Sequence, residues 1–342
     1  MANSVTSVER WKAFYKTAAQ FRDAAPWRWL RDRDIFGVRN PETDEIGWCC
    51  VMGAGGQHYA LAVYDGNIGL QNYWHLATTD PSTAQFNPEY RNAGLCQKGW
   101  MVAFEDANMV YPQNKKHLKA LGLSFRGSNQ WIVATSLDPG LYPWPLEENQ
   151  LPFVQLCLEQ AMVVAEAQKG QSMLHSGDLF LVREQNKADG TWSNAYMDPD
   201  DFLGKPSLSP IKPSEKFNQE VKAMKRIKGC IVLANFLSTR NIEEKKGEQP
   251  QHPCVLLAIQ YGSGYILAQE MIQYSKMAQS LENFLLRTFR TIKGLPMQIA
   301  YHHPPIGELL EDIAEKYDIE LVEIDGDEDT ILDVAEAFAP FL

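Results

Sequence analysis

The chain is 342 residues long, 45% hydrophobic and 22% charged, with a formal net charge of −11. Such a composition excludes a largely disordered protein, and no apolar run approaches the roughly 20 residues that span a bilayer. Bulk nucleic-acid binding needs a basic face that displaces counterions, and the average charge argues against it. The charge is uneven, however. Residues 308–342 hold 13 Asp or Glu and one Lys, whereas residues 211–307 hold 13 Lys or Arg and 7 acids. A local basic face in 211–307 therefore stays open, as does ordinary solvated charge. The opening MANSVTSVERWKAFYK has no apolar core of a signal peptide. Six cysteines without regular spacing make no disulfide framework, so the expected location is the cytoplasm and no membrane partner is expected.

Length predicts two domains. The clearest boundary is DPDDFLGKPSLSPIKPS (198–214), with four prolines, which divides the chain into 1–200, a linker 201–214 and 215–342. In the first part Trp11, Phe14, Tyr15, Ala18 and Phe21 recur at helical spacing, and Ala25-Pro26 ends the helix. A meander follows: a strand in DIFGVRN, a turn at Asn40-Pro41, a strand Ile46–Met52, a turn in GAGG (53–56) and a strand in HYALAVYDG. A helix is predicted near Leu70–Leu76. WMVAFED and Trp131–Ser136 read as strands, KKHLKALG and Leu151–Gln168 as helices, and DLFLVREQNKADGTWSNAYM as a hairpin turning at Asp189-Gly190. The expected fold of this part is α+β with an antiparallel meander.

In the second part a basic helix (Glu215–Lys228) precedes a strand, CIVLANFL. A hairpin, CVLLAIQYGSGYILAQEMI, turns at 262–264, and a helix starts with Ser280 as N-cap. Strand MQIAYH, helix IGELLEDIAEKY, strand IELVEI and a last helix, DTILDVAEAFAPF, complete the order βββαβαβα. The expected class is α/β with a mixed sheet.

That order, with the phrases LLAIQYGSGYILA, GLPMQIAYHHP and LLEDIAEKYDIEL, resembles the ribonuclease-H-like core of retroviral and transposon integrases over about 110 residues. The resemblance implies acids on the first strand, after the fourth strand and on a later helix, holding two divalent metals. Those positions fall at Asn235, at His302 or His303, and at Glu336, of which only the last is an acid. Two-metal phosphoryl transfer lacks its charges, so the resemblance implies a degenerate relative with no catalytic residue and no cofactor. In the first part, PWRWLRDRDIFGVRNPETDEIGWCCVMGAGGQHYALAVYDGNIGL and LKALGLSFRGSNQWIVATSLDPGLYPW resemble bacterial domains of unknown function, and the second part resembles a companion domain of the same kind. Neither resemblance carries an activity.

Other constellations have plain structural readings. Cys49-Cys50 point to opposite faces of a strand, and no CxxC accompanies Cys96, Cys157, Cys230 or Cys254. Asp325, Asp327, Asp329 and Glu336 repeat the 1, 3, 5, 12 spacing of a calcium loop, but Thr330 stands where such a loop needs Gly. GAGG lacks the Lys and helix of a phosphate loop. Trp27, Trp29, Trp48, Trp74, Tyr142 and Trp144 sit beside Pro, Gly or polar residues. Aromatic loop residues of that kind, above all Trp27, Trp29, Tyr142 and Trp144, are candidate anchors for a protein partner or cover for a thin core. The expected function is a non-enzymatic binding or scaffolding module. The alternative is a nucleic-acid-associated protein or an atypical metal-dependent nuclease using the second part.

Overall fold

A capping box starts the first helix: the Thr6 side chain accepts the Glu9 N–H, and the Glu9 carboxylate accepts the Thr6 N–H at 2.8 Å. The computed structural model describes residues 6–79, 88–169, 174–176, 178–203, 208–324 and 331. By its contacts the chain forms two units, Met1–Ala77 with Gln97–Asp138 and Pro143–Lys205, and Thr78–Cys96 with Pro139–Tyr142 and Pro206–Leu342. The proline-rich segment thus lies near one boundary. Two short pieces of the first half, 78–96 and 139–142, belong to the second unit, which no compositional change in the sequence marks.

In the first unit, α1 (Ser7–Ala24) ends at Ala25 in the left-handed conformation, and Pro26–Arg28 adds one 3-10 turn. Strands β1 (Phe36–Arg39), β2 (Ile46–Met52), β3 (Ala60–Asp65), β4 (Gly99–Glu105), β5 (Trp131–Leu137) and β6 (Trp144–Pro145) form the antiparallel meander. On its other edge β1 pairs parallel with β8 (Leu179–Gln185), with Gly37 opposite Val182. β8 also pairs antiparallel with β7 (His175–Ser176) and β9 (Trp192–Met197). The sheet is therefore mixed, where the sequence predicts antiparallel strands alone. Residues 40–178 separate these parallel partners, a pairing that local patterning cannot reveal.

Alternation along β2 sorts the unit into two cores. Cys49 and Val51 face Phe14, Phe21, Val154 and Leu158 of α1 and α5 (Leu151–Gln168). Trp48 and Cys50 face Leu70 and Tyr73 of α2 (Gly66–Thr78). Trp48 is fully buried, which corrects its reading as an exposed aromatic. The helix in KKHLKALG is α4 (Pro112–Ala120).

In the second unit α3 (Pro88–Leu95), absent from the sequence reading, lies against β10 (Arg226–Leu237). The remaining strands are β11 (Pro253–Gln260), β12 (Ile266–Gln273), β13 (Leu295–Tyr301) and β14 (Glu320–Glu323). The order is β12-β11-β10-β13-β14. β10 pairs antiparallel with β11 and parallel with β13, β11 antiparallel with β12, and β13 parallel with β14. α7 (Met277–Thr291) and α8 (Pro304–Tyr317) are the crossovers before β13 and β14. Their Phe284, Leu285, Ile306 and Leu310 pack with Leu233 and Leu256. Val232, Ala234 and Phe236 pack on the opposite face with Ile331, which alone is described from the predicted last helix.

Two boundaries differ from the sequence reading. α6 (Glu215–Lys222) stops early because β10 already begins at Arg226 and reaches Leu295 on β13. α7 starts at Met277, directly after the 3-10 turn Tyr274–Lys276, so Ser280 lies inside it. Glu282 instead accepts a hydrogen bond from the N–H of Ser214, the true N-cap of α6. No helix among the described residues is long and apolar enough to cross a membrane.

Candidate functional site

The carboxyl ends of the parallel strands of an open α/β sheet are where such folds place ligands. In the second unit that edge holds the ends of β10 and β13, and with them Asn235, His302 and His303. β13 ends at Tyr301, so the last turn of β10 has no strand on that side. Its backbone groups find side chains instead. The Asn235 N–H donates to Nε2 of His302 at 3.3 Å. The Asn92 amide, on α3, donates to the Asn235 carbonyl at 2.9 Å and accepts the Leu237 N–H at 3.1 Å. An imidazole and an amide thus continue the ladder where the strand partner stops.

These side chains are enclosed: Asn235 and His302 are fully buried and Asn92 is 1% exposed. Accepting at Nε2 fixes the His302 proton on Nδ1. Burial pushes the pKa of His302 down to about 4, so the ring is neutral near pH 7. Phe236 stacks on it, with centroids 5.7 Å apart. Among the described residues, Oδ1 of Asn235 and Nδ1 of His302 find no hydrogen-bond partner. Past the end of the strand, Nε2 of His303 is 3.0 Å from the Tyr274 hydroxyl. Burial raises the Tyr274 pKa well above the usual phenol range.

The structure therefore joins Asn235 and His302 by a hydrogen bond, while His303, its ring 6.4 Å from that of His302, bonds to Tyr274 instead. Glu336, Asp325, Asp327 and Asp329 lie outside the described residues. Among the described residues no group of three or more His, Cys, Asp or Glu side chains is arranged to hold a metal ion. Four of the buried thiols are not poised nucleophiles either. Burial pushes Cys254 up to about 12 and raises Cys49, Cys50 and Cys96. Cys49 and Cys50 do face the two different cores of the first unit. His252, buried, binds the Ser238 carbonyl through Nδ1 at 2.9 Å.

Of the aromatic loop residues, Trp27 is half-buried, with its ring centroid 4.8 Å from that of Tyr59, and Trp29 is 45% exposed. Tyr142, in the second unit, donates its N–H to the Pro250 carbonyl. Trp144 is half-buried on β6. Trp27 and Trp29 line an open cavity of about 640 Å³ with Arg28, Arg31 and Tyr59. The tryptophans stand out in the sequence; Arg28 between them and Arg31 after them, in WRWLR, belong to no motif that singles them out. Asn92 had no signal at all, because its partners lie more than 140 residues away.

The fold and this site define a two-unit protein with mixed sheets, whose best-enclosed polar cluster completes a strand edge. The chain belongs to the family described as domain of unknown function DUF7309, whose profile matches residues 11–183. Residues 219–332 match a second domain of unknown function, DUF6930. No curated protein matches the chain significantly.

Proposed function

We propose that the protein is a non-enzymatic binding or scaffolding module and that its second unit is a ribonuclease-H-like domain without a working metal site. The strand order, with three antiparallel strands followed by two parallel crossovers, supports the fold assignment. The single observation that carries the functional reading is the use made of Asn235 and His302. A two-metal site needs carboxylate oxygens open to an ion. Here the two positions bear an amide and a neutral imidazole, fully buried, one of them consumed in closing the end of β10. A cytoplasmic setting belongs to the same proposal and suits six cysteines that are all free thiols.

One observation favours a second reading, an atypical metal-dependent nuclease or nucleic-acid binder. Asn235 Oδ1 and His302 Nδ1 are buried polar atoms at the same sheet edge that find no partner among the described residues. The full chain, incubated with Mg²⁺ or Mn²⁺ and labelled single- and double-stranded DNA, RNA and hybrid, separates the two. The proposal predicts no cleavage. Cleavage that disappears on Glu336→Ala would overturn it in favour of the enzyme. Binding of those nucleic acids that falls steeply with salt would establish the nucleic-acid reading instead.

A further inference from the structure

The first unit carries a built cavity that the reading of the second unit does not use. Its wall is Trp27, fixed from behind by Phe21 and Phe104 at centroid distances of 6.2 and 5.9 Å and from the side by Tyr59 at 4.8 Å. Trp27 sits on the 3-10 turn Pro26–Arg28, where the Pro26 carbonyl accepts the N–H groups of both Trp29 and Leu30. The aromatic surface is therefore preorganised rather than assembled on binding. The turn Gly53–Gly56 forms the lip. Gly53 has φ 125°, and a Cβ there would lie 2.6 Å from the Tyr59 ring and 3.3 Å from Trp27, so only glycine lets the lip close on the wall.

Charge is distributed unequally along this surface. The cavity on the lip side is lined by Arg28 and Arg31 and by no carboxylate. Both arginines are exposed, and among the described residues neither guanidinium has an ion pair or hydrogen bond. The acids close by are committed or outside it: Asp34 accepts the Arg31 backbone N–H at 2.8 Å, and Asp23 pairs with Arg22 at 2.8 Å. A second cavity shares Trp27, Arg28 and Tyr59 and is lined further by the Arg22–Asp23 ion pair, Ser128, Asn129 and Gln130, so the one carboxylate along the groove stands at its amide end and not beside Arg31. The backbones of Asn129 and Gln130 are engaged, through the Asn129 N–H to Asp106 and the Gln130 carbonyl to Arg22, while among the described residues their side-chain amides make no hydrogen bond.

Along one groove there are thus two amides, then an aromatic wall, then two unpaired guanidiniums beside a glycine turn. Amides match the hydrogen-bonding edge of a base, indole and phenol rings its face, and guanidinium a phosphate oxygen pair. We propose that this groove binds a nucleoside monophosphate, with the base against Trp27 and Tyr59 and the phosphate between Arg28 and Arg31. A mononucleotide suits the cavity better than a polyanion, because a long strand would also meet the net charge of −11.

The test is calorimetric titration of the full chain with AMP, GMP, CMP and UMP, beside adenosine, ribose 5-phosphate and inorganic phosphate. The expected result is saturable binding of at least one mononucleotide, with its nucleoside and the sugar phosphate each at least tenfold weaker. The double variant Arg28→Ala/Arg31→Ala, which removes exposed side chains and leaves the fold intact, should weaken binding more than tenfold. Trp27→Phe should weaken it severalfold while keeping the core filled. No binding of any of the four at millimolar concentration, or affinity unchanged in the double arginine variant, overturns the proposal. Binding of a single-stranded oligonucleotide or an acidic peptide in place of the mononucleotides overturns it as well.

Discussion

Replacing Asn92 with alanine should destabilise the second unit out of proportion to the size of the change. The side chain is 1% exposed and satisfies two backbone groups at the open end of β10, the Asn235 carbonyl at 2.9 Å and the Leu237 N–H at 3.1 Å. Removing it strands both in a buried setting, and a buried backbone group without a partner costs about 1–3 kcal/mol. The expected loss is therefore about 2–5 kcal/mol, at the upper end for single substitutions. The tryptophans make the assay specific. All nine lie at or before Trp192, in the first unit, so their fluorescence does not report the second directly. Urea unfolding followed by far-ultraviolet circular dichroism should shift to lower denaturant in the variant. Hydrogen exchange of the peptide spanning residues 231–238 should accelerate more than that of β11 and β12. A loss below about 0.5 kcal/mol, the scale of an ordinary surface substitution, with unchanged exchange in 231–238, would refute the argument that this amide completes the strand.

Three further outcomes follow from named residues. His302 is neutral when folded and its pKa is lowered from an ordinary 6.5 to about 4, so the unfolded chain binds the extra proton between those values. Stability due to this group is complete above pH 6.5 and is lost as pH falls toward 4, by up to about 3 kcal/mol relative to His302→Gln, whose side-chain oxygen accepts the Asn235 N–H without titrating. Parallel pH profiles for the two proteins would contradict the assignment. Gly53→Ala should lower the midpoint of the Trp-detected transition by about 1–3 kcal/mol in stability, since it forces a Cβ onto the Tyr59 ring at a left-handed backbone position; an unchanged midpoint would show that the lip is pliable. Of the six free thiols, only Cys230 is not buried, so a disulfide reagent should titrate one thiol readily in the native protein and six in denaturant. Rapid reaction of Cys254 or Cys49 would argue against the packing around them.

Local patterning carried most of the element order. The alternation of Ile46–Met52, the helical spacing from Trp11 to Phe21 and the limits Leu151 and Gln168 each follow from short-range periodicity, and the structure has them in place. What escaped was what depends on distant partners. β1 and β8 pair in parallel across more than a hundred residues, and α3 joins a sheet whose first strand begins at Arg226. Nothing in the segment PEYRNAGL announces that Asn92 will serve as a strand edge. The candidate site was partly legible. Asn235 and His302 do meet, yet the hydrogen bond that joins them, from a backbone N–H to a neutral ring, depends on burial that a sequence does not display. Trp48 was misplaced for the same reason: the glycine beside it suggested exposure, whereas the second face of the sheet buries it against Phe180 and Phe202.

A crystal of the full chain soaked in Mn²⁺ and examined by anomalous scattering decides between structural closure and a metal site at the carboxyl edge of β10 and β13. Closure, as proposed, leaves no anomalous peak within about 2.0–2.2 Å of Asn235 Oδ1 or His302 Nδ1, the range of a ligand bond. A peak bonded to both atoms and completed by a carboxylate, Glu336 above all, would contradict it.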